Sequence, residues 1–145
     1  MNKTIHFLIA TVFLLGSGLL TAQAGTAYRI IVNADNPVSS LTRDQASKMF
    51  LKKTARWENG SPVLPVDLSS KSEVREKFSR EIHGRSVASI KNYWQQQIFS
   101  GRNTPPPEKA SEAEVISYVK ANPGAIGYVS ASAEVDEVKT LEIND

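Results

Sequence analysis

Four consecutive residues, Ser69-Ser70-Lys71-Ser72, concentrate more potential chemistry than any other stretch of the chain. Three hydroxyls and an ammonium follow an apolar run, Pro62-Val63-Leu64-Pro65-Val66, that stops at Asp67. A helical pattern begins at once, with Val74, Phe78 and Ile82 at helical spacing. A strand that turns straight into a helix aims backbone N–H groups and the positive end of the helix dipole at one point. Small anions bind at such points. Ser70 and Glu73 also stand at capping-box spacing, so the same residues have a purely structural reading, the closing of a helix end.

Little else in the chain is suited to catalysis or to metals. After residue 24 the chain has one histidine, His83, beside the helix-ending Gly84, where it reads as a helix C-terminal cation or a surface residue. There is no cysteine, hence no thiolate site and no disulfide framework, and a single histidine does not make a transition-metal site. No metal or cofactor is therefore expected. A G-x-S-x-G elbow, a P-loop and a spaced His/Asp/Ser set are all missing, so the expectation is a protein that is not an enzyme. Trp57, Tyr93, Trp94 and Phe99 are candidates to line a pocket. Trp94 falls on a helical stripe and reads as core, whereas Trp57 precedes a turn and is open to an exposed role in binding.

The elements that must position these residues begin after a targeting segment. Lys3, the apolar Ile5–Leu20 and Ala22-Gln23-Ala24 have the order of a cleavable signal peptide, so residues 1–24 read as a leader and 25–145 as one domain. No membrane span is expected after cleavage. Seventeen basic against fifteen acidic residues give +2. That balance excludes nucleic acid as a natural partner. A leader on a cysteine-free domain suits the bacterial periplasm.

Tyr28-Arg29-Ile30-Ile31-Val32-Asn33 reads as a buried strand. Thr42 and Gln45 form a capping box that opens a helix with Ala46, Met49 and Phe50 inward. After the Trp57-Glu58-Asn59-Gly60 turn, Pro62–Asp67 reads as a second strand, whose two prolines put it at a sheet edge. The helix from Ser70 stops at Gly84. Ser86 caps the next one, with Val87, Ile90, Tyr93, Trp94 and Ile98 on its apolar stripe. Pro105-Pro106-Pro107 stiffens the following loop. Ser111 and Glu114 cap a further helix with Val115, Tyr118 and Val119 inward, and Asn122-Pro123-Gly124 breaks it. Ala125–Val129 and Val138–Ile143 are the last strands, with Gly127 marking a bulge or a close backbone approach. The sum is an α/β domain, a small mixed sheet flanked by helices.

Several phrases together resemble a known family. They are Asn36-Pro37, Leu41-Thr42 through Phe50, Trp57-Glu58-Asn59-Gly60, Phe78, Trp94, Phe99-Ser100-Gly101 and Pro123-Gly124-Ala125-Ile126-Gly127-Tyr128-Val129. In this order, over about residues 28–130, they resemble the substrate-binding proteins of phosphate ABC importers, of the type II periplasmic binding protein class. The resemblance implies a single lobe of that fold, where the full proteins close two lobes around the anion. It also implies non-enzymatic binding of phosphate or a similar oxyanion, at Ser69, Ser70, Lys71 and Ser72. An ABC permease or another periplasmic protein is the implied partner. The family's junction carries an arginine, an acidic residue and a Ser-Gly-Thr run. Here Asp67 replaces the cation and is expected to repel phosphate. A ligand-free interaction module built on the same lobe is the alternative expectation.

Overall fold

The computed structural model describes residues 27–145, so the leader read at residues 1–24 lies outside the described residues. Strand β1 (Tyr28–Asn33) occupies the centre of a five-stranded sheet with the order β2-β7-β1-β6-β3. Its partners β6 (Ala125–Ser130) and β7 (Val138–Asn144) both run antiparallel to it, in registers that set Ile30 opposite Tyr128 and Leu141. The short β2 (Ser40–Thr42) and β3 (Leu64–Pro65) add parallel to β7 and β6 at the two edges. The sheet is mixed.

Helices cover both faces. On one side α1 (Arg43–Phe50) and α2 (Glu73–Phe78) bring Phe50 and Phe78 against Tyr128. Phe78 stacks flat on Tyr128, with ring centroids 3.8 Å apart, and Phe50 and Tyr28 meet Phe78 edge-on at 4.8 and 5.5 Å. Such ring geometries add attraction beyond area burial. On the other side α4 (Glu112–Ala121) lies against β6 at Gly127. A Cβ there would come within 2.8 Å of both Val66 and Val115, so only glycine lets helix and strand approach this closely. Asn33, at the buried end of β1, donates its amide to the α4 carbonyls of Val119 and Lys120.

Most expected elements form where the pattern placed them, including the capping boxes Thr42/Gln45 and Ser111/Glu114. The Pro62–Asp67 strand is a correction. Leu64–Pro65 does pair at the sheet edge, as its prolines require. Past Val66 the chain leaves β6, and β4 (Asp67–Leu68) pairs instead with β5 (Glu108–Lys109), just beyond the three prolines. β2 and β5 were not expected, because two or three residues are too few for an alternating pattern to register.

A single π-helical turn, Ser79–His83, prolongs α2, and Gly84 ends it in a left-handed conformation (φ 64°). Helix α3 (Val87–Phe99) then lies at the periphery, its buried Ile90 and Trp94 packing on Leu51 in a cluster separate from the main core. Trp94 is core, as its spacing implied. Ile98 is not: it is 53% exposed and Phe99 92%, because α3 has no partner element at its C-terminal end.

Candidate functional site

The corner between β4 and α2 is built differently from its capping-box reading. Ser72, not Ser70, is the N-cap, and its hydroxyl oxygen accepts from Arg75 N–H at 3.3 Å. The reason lies in the turn before it. Ser69 N–H pairs with Lys109 C=O at 2.9 Å, which holds the chain against β5 as far as Ser69, so that the Ser70-Lys71 turn comes before the helix and not within it. Ser72 N–H then folds back on Ser69 C=O at 2.9 Å, and Lys71 N–H on the Ser69 hydroxyl at 3.4 Å. Two of the amides that could face an anion are thus engaged within the turn. The hydroxyls are not used up. A serine oxygen that accepts a hydrogen bond keeps its own proton to donate. Ser69, Ser70 and Ser72 are half-buried and Lys71 is exposed, so the four residues share one accessible turn with three O–H donors and one cation.

Beneath this turn sits a buried ionic cluster. Asp67 (8% exposed) accepts the Tyr128 hydroxyl at 2.7 Å, and Arg75 (4% exposed) places Nη2 3.8 Å from its other oxygen. Arg75 Nη1 donates to Leu68 C=O at 2.8 Å and to Glu108 at 2.5 Å. The Tyr128 oxygen in turn accepts Leu68 N–H at 3.3 Å. Burial raises the Asp67 carboxyl pKa, outweighing Arg75 and the Tyr128 hydrogen bond, which pull it down. For Arg75 burial works against the charge, but Asp67 and the Glu108 hydrogen bond prevail and its pKa is raised. Tyr128 is held protonated, chiefly by burial and then by Asp67.

This cluster corrects the expected role of Asp67. Its carboxyl turns inward to Tyr128 and Arg75, so it does not stand across the turn from an incoming anion. By the same geometry Arg75, with two carboxylates around it, is not the cation of an anion site. Arg75, Glu108 and Tyr128 escaped the sequence reading, although one signal was present. Positions 75, 78, 79 and 82 share a helix face and all are buried, so the stripe includes an arginine that needs a buried partner.

Other expected roles change as well. His83 is a half-buried neutral ring rather than a helix-end cation. Burial first, then Arg85, Arg75 and Lys53, push its pKa down to about 4, and Nδ1 lies 2.8 Å from the Ser47 hydroxyl. Trp57 is buried rather than exposed, its indole N–H donating to Gly124 C=O at 3.0 Å. A cleft of about 170 Å³ opens beside the ionic cluster, between Trp94 and Ile98 of α3 and Pro105 and Pro106. Among the described residues no group of three or more His, Cys, Asp and Glu is placed to hold a metal, and no helix is long and apolar enough to cross a membrane.

Residues 25–143 match the family model of the PBP superfamily domain. The chain belongs to that family. Among solved structures, the PBP domain described here is similar to a protein described as a phosphate ABC transporter substrate-binding protein, with bound phosphate, from Clostridium perfringens. That match has 21% identity and a TM-score of 0.65, over 81% of this chain and 44% of that one. An ABC-type phosphate transport receptor from Vibrio cholerae matches at 20% identity and TM-score 0.65, over 81% and 46%. A possible phosphate binding protein from Planctomyces limnophilus matches at 14% and 0.61, over 82% and 42%. At these identities the likeness concerns the fold. The chain spans less than half the length of each structure, so its PBP domain corresponds to a single lobe.

Proposed function

We propose that this protein is a periplasmic, non-enzymatic binder of phosphate or a chemically similar oxyanion. In this reading the anion sits on the Ser69-Ser70-Lys71-Ser72 turn, and an ABC permease or another periplasmic protein receives it. One observation supports the reading above the rest: Asp67 is turned into the ionic cluster, which leaves the turn with hydroxyl donors and the Lys71 ammonium. The similar folds of proteins described as phosphate binders support it in addition.

The chemistry also sets the strength. Hydrogen bonds to a charged group contribute roughly 1.5–3 kcal/mol each. A helix start adds about 0.3–1 kcal/mol. Millimolar binding requires about 4.1 kcal/mol net of ordering costs. Two or three serine donors, on a turn that faces water and lies next to the acidic Glu73, therefore reach the millimolar range and not the micromolar.

The test is thermal unfolding in phosphate against chloride at matched ionic strength. A ligand at ten times its Kd stabilises by about 1.4 kcal/mol, a rise of several degrees for a domain of this size. The expected result is a rise in midpoint that sets in near millimolar phosphate and then grows logarithmically with its concentration. An unchanged midpoint at tens of millimolar phosphate would favour the interaction-module alternative.

A further inference from the structure

A cleft of about 710 Å³ runs between the segment 37–41, one flank of α1 and the loop 54–59. Small-molecule sites have volumes of roughly 300–1,000 Å³. The cleft shares no residue with the Ser69–Ser72 turn, so it is a place separate from the proposed anion site. Leu41, Met49 and Trp57 form its apolar floor. All three are buried, and each shows the cleft only a small part of its surface.

Four charged side chains stand around this floor, Asp44 and Lys48 on α1 and Arg56 and Glu58 on the loop. Asp44 and Lys48 meet at 2.7 Å, a solvent-exposed pair of the weak kind. Arg56 and Glu58 take part in no ion pair among the described residues, although they flank Trp57 on both sides. The loop that carries them is fixed. The Trp57 indole N–H holds Gly124 C=O at 3.0 Å, and the Trp57 backbone pairs with Ser61 and Gly60 at 2.9 Å. Arg56 Nη1 donates to Gly60 C=O at 2.9 Å, which pins the guanidinium and leaves its other N–H groups able to donate.

The charges also say what fits. A ligand of one sign would meet two like charges in the cleft. A ligand that carries both signs close together, on an apolar body, is matched by Arg56, by Glu58 and by the floor between them. We propose that this cleft binds a zwitterionic α-amino acid with an apolar side chain. Its carboxylate lies on Arg56, its ammonium on Glu58 with Asp44 nearby, and its side chain over Leu41, Met49 and Trp57. A ligand of about nine non-hydrogen atoms in an open cleft implies a Kd of ~0.1–1 mM.

The probe is L-leucine, titrated into the full-length purified protein, with the indole N–H resonance of Trp57 as the readout. Trp94→Phe assigns that resonance, since the chain has two tryptophans. L-leucine should shift it saturably. N-acetyl-L-leucinamide, which lacks both charges, and glycine, which lacks the side chain, should each bind about tenfold more weakly or worse. Arg56→Gln and Glu58→Gln should each weaken L-leucine about tenfold. Glu58→Gln removes no contact within the chain, so its melting temperature should stay at the wild-type value. No shift at ~20 mM L-leucine overturns the proposal, as does a capped leucine that binds as tightly as the free amino acid. Phosphate should leave the Trp57 resonance in place, so failure here and failure at Ser69–Ser72 are read separately.

Discussion

The two layers of the β4–α2 corner differ in what their polar groups are free to do. In the inner layer Asp67, Arg75, Glu108 and Tyr128 are held by one another, by Leu68 and by the Phe78 ring stacked on Tyr128. In the outer layer three hydroxyls keep their protons and Lys71 is exposed. Charge type alone would have assigned the chemistry the other way, with the arginine as anion ligand and the serines as caps. The corner shows that burial decides. An ion that already has its counter-ions beside it ties elements together and is not free for a ligand, whereas the outer hydroxyls and Lys71 are not so engaged.

Substitutions in the inner layer should produce the largest effects. Arg75→Met leaves Asp67 buried without its cation and frees Glu108 from β5's tie to α2. The expected loss is about 3–5 kcal/mol of stability by urea unfolding, the usual cost of removing one member of a buried pair. Adding Asp67→Asn to the same chain should recover part of it. If Arg75→Met proves neutral, the inner layer is not what holds the corner.

Acid titration separates His83 from the cluster. Its depressed pKa means that the unfolded chain takes up a proton between pH 6.5 and about 4 while the folded chain does not. Stability contributed by the neutral ring is thus present above pH 6.5 and is lost as pH falls, by at most about 3 kcal/mol. Asp67 has the opposite sign: its raised pKa favours the folded chain as pH drops. His83→Gln should accordingly remove the decline, leaving a profile that is flat or rises towards acid. A decline of unchanged size in His83→Gln would assign it elsewhere.

Smaller again is Tyr128→Phe, which keeps the ring stack but strips Asp67 and Leu68 N–H of a partner. About 1–3 kcal/mol should be lost in chemical denaturation. Smallest are changes in the outer layer. Glu73→Gln removes the acidic neighbour of the turn and should tighten phosphate roughly twofold, with stability altered by no more than about 0.5 kcal/mol.

Much of the frame was legible in the residue pattern, for stated physical reasons. The β-branched run at Tyr28–Asn33 and the Thr42 and Ser111 capping boxes each have a local chemistry that favours one conformation. What escaped depends on contacts distant in sequence. Ser69 stays extended because Lys109, forty residues on, accepts its N–H, and this moves the cap from Ser70 to Ser72. Trp57 is buried because Gly124 accepts its indole, and Ile98 is exposed because no element covers the end of α3. The four residues of the proposed site were named from sequence, whereas the ionic cluster that turns Asp67 away from them could not be.

The most direct test of the account is a residue-resolved NMR titration of amide resonances with phosphate at constant ionic strength. Saturable shifts centred on Ser69, Ser70, Lys71 and Ser72, with millimolar midpoint and several-fold weakening in Lys71→Ala, are the predicted result. No shift at these four residues up to about 50 mM phosphate, some fiftyfold above a 1 mM Kd, would contradict it.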